Sequence, residues 1–273
     1  MSIFYSLILG IVQGVTEFLP ISSTAHLILI PWLFNWTFNP DQAFAFDVLV
    51  QLGTLVAVVV YFARDLWQIA LALLGGLRRG QPFDSENARL GWLVIVATIP
   101  AGLIGLFFKK FFVELHNNPV MVAGILLGAA GLLFIVERLG RHNRTLDSLT
   151  WLDAILIGCS QALALLPGVS RSASTMSGAI LLGLERRAVA RFSFLMSIPI
   201  MIAASGLALK DLIDLPDTKG QLPSLAVGFI AAAVVGIISI HWLMRYLARH
   251  SLYLFAWYRI GFGALCLIVA FLR

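Results

Sequence analysis

Charge is scarce in this chain: only 12% of its 273 residues are Asp, Glu, Lys or Arg, against 60% that are hydrophobic. A typical soluble domain carries roughly twice that charged share. With a mean hydropathy of +0.93, the chain has more apolar surface than a soluble core could hide. Cysteine is scarcer still. Cys159 and Cys266 are the only two, and both sit inside apolar stretches, which excludes a disulfide framework or a cysteine metal centre and reads them as packing residues. There is no Walker A loop, dinucleotide fingerprint or CxxC pair. The first apolar run has no basic segment before it and contains Gln13 and Glu17, so a cleaved signal peptide is not expected.

What is abundant is apolar sequence long enough to cross a bilayer, which takes about 20 residues. Such runs lie near 46–63, 91–108, 119–137, 192–209, 222–244 and 253–272, predicting six transmembrane helices. The net charge of +5 is spread over the connections between them, so it reads as membrane topology rather than nucleic-acid binding.

Two further apolar stretches, each too short to cross, break at a proline and resume after a hydroxyl-rich turn. The first runs through Pro20 and Ser22-Ser23-Thr24, the second through Pro167 and Ser170-Arg171-Ser172. They align at an offset of 148 with a gap before the proline, pairing Gly10 with Gly158, Gln13 with Gln161, Ser22 with Ser170 and Ala25 with Ala173. If residues 3–34 and 152–184 are re-entrant hairpins, the connections divide between two faces. One receives twelve basic residues: Arg64, Arg78, Arg79, Arg89, Arg138, Arg141, Arg144, Arg186, Arg187, Arg191, Arg245 and Arg249. The other receives five: Lys109, Lys110, Lys210, Lys219 and Arg273. The positive-inside rule makes the first face cytoplasmic and the N-terminus extracytoplasmic. Three spans separate the hairpins, so they enter from opposite faces and their turns meet near the midplane. The expected fold is an all-α integral membrane protein with six transmembrane helices plus two re-entrant helical hairpins in an inverted-topology repeat. It forms one membrane domain over 1–273, with repeats at approximately 1–138 and 150–273.

Few ionisable residues remain inside apolar sequence: Glu17, Arg171 and Arg259, with Asp47 at the start of a span. Placing such a group at the bilayer centre costs about 2.5–3.5 kcal/mol on the insertion scale, so each needs a partner or a task. Glu17 follows Gln13 by four residues and shares its helical face. It is either neutralised by a buried arginine or activates water or holds a divalent cation, with Gln13 as an oxygen donor. Ser22, Ser23 and Thr24 stand where a half-helix begins, a position that capping alone explains. His26, three residues after Ser23, adds a base within expected reach of that hydroxyl.

The second turn supplies helix-terminal amides and the planar fork of Arg171, which suit phosphate oxygens. A salt bridge between Arg171 and Glu17 is compatible with that role. The expected phosphate-binding set is Gln13, Ser22, Thr24, Ser170, Ser172, Thr175 and Gln51. Arg259 is left to Asp47, another buried acid or a headgroup. Gly124-x-x-x-Gly128 and Gly261-x-Gly263 read as close-packing positions and leave a homodimer open.

These residues resemble a family. Gln13 to His26, Pro167 to Ser172 and, more weakly, Phe46 to Gly53 are similar to the bacterial undecaprenyl pyrophosphate phosphatases of the bacitracin-resistance type over essentially the whole chain. The resemblance implies hydrolysis of a polyprenyl diphosphate lipid to the monophosphate carrier used in cell-wall synthesis. It also implies a divalent cation (Mg2+ or Ca2+), the bacterial inner membrane and a site open to the extracytoplasmic side. Glu17, Ser23, His26 and Arg171 match its catalytic positions; Glu17 and Gln13 match its acidic motif and are the metal ligands the resemblance implies. Gln13 stands where the family has glutamate or glutamine, and Ala25 and Ala173 stand where glycine is common; both alanines are expected to be helical. The rival reading is a polyprenyl-phosphate flippase or secondary transporter on the same repeat, which has no need of serine and histidine beside an arginine.

Overall fold

The computed structural model describes residues 1–108, 118–213 and 222–273. Lys109, Lys110 and Lys219 lie outside the described residues, as does the side chain of Lys210. Eleven α-helices run through the described residues: α1 (Ile3–Thr16), α2 (Ser23–Leu33), α3 (Pro40–Tyr61), α4 (Ala63–Arg78), α5 (Glu86–Phe107), α6 (Pro119–Leu139), α7 (Trp151–Ala162), α8 (Arg171–Leu181), α9 (Arg186–Ile213), α10 (Leu222–Leu247) and α11 (Tyr253–Leu272). Six of them, α3, α5, α6, α9, α10 and α11, are long and apolar enough to span a bilayer. All six expected spans are present. Several begin earlier than the apolar run does, because caps such as Asn39 and Ser85 start the helix several residues upstream. The chain is a multi-pass membrane protein.

α1, α2, α7 and α8 are 14, 11, 12 and 11 residues long. At about 1.5 Å per residue, none crosses a hydrocarbon core of about 30 Å. α1 stops ahead of Pro20, which supplies no amide hydrogen and restricts Leu19. α7 runs into a short 3₁₀ turn at Leu163–Leu165 before Pro167. α1 packs on α10 and α3, while α7 packs on α5. Gly10 permits the first contact, since a Cβ there would stand 2.5 Å from the Gly228 carbonyl oxygen. Gly124, Gly128 and Gly261 behave differently from expectation: none of the described residues lies within 4 Å of a Cβ built at any of them, and among the described residues only Gly263 of that group meets a neighbouring helix, at Ala123 and Leu127 on α6. Cys266 is buried as expected, but Cys159 is exposed on α7 and packs into no core.

The segment between the first two spans, read from sequence as a loop, forms α4. Its Ile69 and Gly76 are buried, while Trp67, Leu71 and Leu74 stay exposed along one side, the pattern of a helix lying at a membrane interface. Nearby, Arg144 binds Asp153 of α7 at 2.6 Å and donates to the Leu182 carbonyl at the end of α8 at 2.9 Å. The hydrogen bond to Asp153 raises the Arg144 pKa further above its already high value. Glu137 on α6 is buried and accepts from Arg186 at 2.5 Å and from the Leu252 amide at 2.7 Å, joining α6, α9 and the start of α11.

Arg259 of α11 is fully buried. Asp47 is not its partner: the guanidinium donates to the carbonyls of Ala129 at 3.2 Å and Gly168 at 2.7 Å, and to that of Val169. It thereby fixes the turn before α8, where Gly168 has φ +104° and a Cβ would lie 2.9 Å from the Val122 carbonyl oxygen. Replacing Arg259 by Met leaves three carbonyls without this donor. With each charge-assisted bond worth about 1.5–3 kcal/mol, Arg259→Met is expected to destabilise the protein by about 3 kcal/mol or more, read as a lowered unfolding midpoint in detergent.

Candidate active site

Both broken helices deliver their turns to one place. Ser22 and Ser170, matched by the offset of 148, have φ of 74° and 79°. A left-handed backbone at a residue other than glycine costs on the order of 1–3 kcal/mol, and here it falls at both turns. Each serine then caps the helix that follows, accepting from Ala25 N at 3.4 Å and Ala173 N at 3.3 Å. Ala25 and Ala173 are helical, as expected; the positive φ lies three residues earlier. Ser172 donates to the Leu19 carbonyl at 3.0 Å, joining one turn to the other.

Glu17 is the hub. One carboxylate oxygen accepts from the Arg171 guanidinium. The other accepts from Ser23 Oγ at 2.6 Å and Gln13 Nε2 at 3.0 Å. The salt bridge left open by the sequence is therefore formed, and Ser23 joins it. The hydrogen bond expected between Ser23 and His26 is absent. The His26 ring is turned toward α11, stacked on Phe262 at 4.5 Å between centroids, with Nε2 2.7 Å from the Tyr258 hydroxyl. Its Nδ1 lies 2.7 Å from the Ser22 carbonyl. A carbonyl can only accept, so Nδ1 carries a hydrogen, and in the neutral ring Nε2 accepts from Tyr258.

A cavity of about 550 Å³ opens between the turns. Of the expected residues, Gln13, Glu17, Ser22, Ser23, Thr24, Gln51, Ser170 and Arg171 line it. His26, Ser172 and Thr175 do not. Thr175 donates back to the Arg171 carbonyl at 3.0 Å and meets Ser193, so its hydroxyl is used in holding α8 against α9. Two polar residues outside the expected set also line the cavity. Asp47 projects into it from α3, and Gln161 is buried with neither amide atom hydrogen-bonded. The signal for Gln161 was its pairing with Gln13 in the repeat alignment.

Among the described residues, no group of three or more His, Cys, Asp or Glu could hold a metal ion. Gln13 Oε1, however, is buried without a partner beside Glu17. That leaves two protein oxygens of the kind a hard cation accepts when phosphate oxygens and water complete its shell, so the residues present fit a cation held largely by its substrate.

The sequence profile described as Bacitracin resistance protein BacA matches residues 6–265 of this chain. The chain belongs to this family. It is 46% identical over 274 residues to the undecaprenyl-diphosphatase of Moorella thermoacetica, covering all of both chains. With the undecaprenyl-diphosphatase of Myxococcus xanthus it shares 43% over 269 residues, 98% of this chain and 89% of the relative. Undecaprenyl-diphosphatase 2 of Stutzerimonas stutzeri is 43% identical over 272 residues, 98% of each. The BacA match takes in both turns, Glu17 to His26 and Pro167 to Thr175, so the hub just described lies wholly inside it.

Proposed function

We propose that this chain is an undecaprenyl-diphosphatase, hydrolysing the terminal phosphate of the lipid diphosphate to leave the monophosphate. The observation that carries the reading is the contact of Ser23, Glu17 and Arg171 at the wall of one cavity, in a chain whose full-length relatives bear that name. The two short helix pairs are taken as re-entrant hairpins of an inverted repeat, roughly 1–138 and 150–273. The matched positive φ at Ser22 and Ser170 and the crossed packing of α1 on α10 and α7 on α5 support that reading. The arginine-rich face is placed in the cytoplasm of the bacterial inner membrane, with the cavity open to the opposite side.

In the proposed mechanism the diphosphate lies between the two half-helix starts, and its lipid tail leaves past Leu27, Ile28 and Leu165 on the apolar wall. The Arg171 fork binds equatorial oxygens of the terminal phosphoryl group. Ser23 Oγ attacks phosphorus in line; its proton passes through Glu17 to the departing lipid monophosphate as the bridging P–O bond breaks, which leaves Glu17 a carboxylate again. Water then attacks the phosphoserine, giving its proton through Glu17 and restoring the serine hydroxyl. Most of the rate in such chemistry comes from positioning and charge neutralisation. A divalent cation, when bound by Glu17 and Gln13 together with the diphosphate, adds charge neutralisation. His26 acts as a positioning residue: its Nδ1–H holds the Ser22 carbonyl and with it the strained turn that aims Ser23.

Two experiments test this. Purified protein in detergent should release inorganic phosphate from undecaprenyl diphosphate; a protein that only moves lipid would release none. His26→Asn, which keeps a side-chain N–H near the Nδ1 position, should recover much of the kcat lost in His26→Ala, whereas His26→Gln should not. Equal loss in all three would return the histidine to the role of base.

A further inference from the structure

Away from the catalytic cavity, on the face with the arginine-rich connections, two adjoining clefts of about 670 and 550 Å³ meet at Tyr61, Arg187 and Met244. The mechanism uses neither. The larger gathers Arg187 from the start of α9 with Arg245 and Arg249, one turn apart near the end of α10, and among the described residues no acidic one lines it. All three guanidinium groups are exposed, and none has a salt-bridge partner among the described residues. The smaller cleft differs, since its Asp65 is engaged by Arg191 at 3.3 Å.

Topology alone accounts for arginines on this face, but not for three like charges converging on one concavity, where mutual repulsion favours a bound anion. The wall is also built. Tyr61 OH lies 3.5 Å from His241 Nδ1, and His241 Nε2 accepts from Arg245 Nη1 at 3.5 Å. Tyr246 stacks on Trp242 at 4.9 Å and on His250 at 4.6 Å. Such rings favour the headgroup level of a bilayer.

A second feature points to a lipid rather than a free ion. Trp242 is at once a wall of the cleft and the last member of an exposed apolar stripe on α10, Ile230, Val234, Ile238 and Trp242. Four-residue spacing keeps these on one side of the helix over about 18 Å, the scale of an acyl chain. We propose that this cleft is a binding site for an anionic phospholipid. Its phosphate oxygens are taken by Arg187, Arg245 and Arg249, and an acyl chain lies along the α10 stripe. Basic pockets between transmembrane helices on the cytoplasmic side recognise anionic headgroups in this way. Naming the cytoplasmic leaflet rests on the orientation proposed above; the site itself does not.

The test is lipid binding by delipidated full-length protein, followed by native mass spectrometry and by the unfolding midpoint, with hydrolysis measured separately so that the two readings fail independently. Phosphatidylglycerol should bind and raise the midpoint, and phosphatidylcholine should not. The triple variant Arg187→Gln, Arg245→Gln, Arg249→Gln should bind phosphatidylglycerol roughly a hundredfold more weakly and release phosphate from substrate at the wild-type rate. The corresponding triple lysine variant should keep most of the binding. Equal binding of the two lipids by the wild type, undiminished binding by the glutamine variant, or full protection by inorganic phosphate alone would each overturn the proposal. If the glutamine variant fails to fold, the wild-type comparison of the two lipids decides.

Discussion

Arg171→Ala is expected to slow phosphate release by at least about a thousandfold, the lower end of what a phosphoryl-clamping arginine contributes. The size follows from two tasks held by one side chain. Among the described residues Arg171 is the only arginine lining the cavity, and it already bonds Glu17 there, so alanine removes the fork for the phosphoryl oxygens and leaves Glu17 without its counter-charge. The second effect threatens the fold, because stripping one partner from a buried ion pair costs about 3–5 kcal/mol. Arg171→Lys separates the two. Lysine keeps a positive charge near Glu17 but presents a point charge where a planar fork is needed. Its unfolding midpoint should stay near wild type while the rate falls by about a hundredfold or more. A lysine variant with wild-type turnover would remove the bidentate role. An alanine variant that unfolds while the lysine variant is both folded and active would make Arg171 a structural partner of Glu17 only.

The legibility of this chain was uneven for physical reasons. The six spans could be read because the bilayer demands length and apolarity, both carried by composition. The two broken helices could be read because Pro20 and Pro167 cannot continue a helix. α4 was hidden by Arg64, Asp65 and Arg78 at its ends, which suggested a loop, while its apolar residues recur with helical spacing over too short a length to cross. The partners of Arg259 left no trace in sequence, since backbone carbonyls belong to every residue. The GxxxG spacing was ambiguous in itself. Gly10 and Gly14 meet the backbone of α10, whereas Gly124 and Gly128 meet none of the described residues; the pattern permits close approach without requiring it.

Eight of the expected residues line one cavity, but not all of their pairings were foreseen. Spacing placed His26 one turn from Ser23, but spacing fixes only which residues share a helical face; the rotamer was decided by Tyr258 and Phe262, more than 230 positions away. Glu17 reaches Ser23 because α1 ends before Pro20 and the chain turns back at Ser22. That reversal depends on backbone strain held in place by the His26 hydrogen bond to the Ser22 carbonyl, as Arg259 holds the second turn through the Gly168 carbonyl.

The second large effect follows from that pairing. Glu17→Gln is expected to lower the rate by about 10²- to 10⁴-fold, the range for loss of a positioned base, since the amide can still hydrogen-bond Ser23 but cannot take its proton. Ser23→Ala should fall as far or further, and the double variant should lose little beyond the worse single one, because the two residues act on one proton. Substrate labelled in its terminal phosphate distinguishes the routes. Acid-quenched wild type should carry label on Ser23 during turnover, and Ser23→Ala should carry none. If Ser23→Ala keeps a rate near wild type while Glu17→Gln does not, water is the nucleophile and Glu17 activates it directly. The 2.6 Å contact of Ser23 with the carboxylate would then order the base, and the hydroxyl would take no part in bond formation.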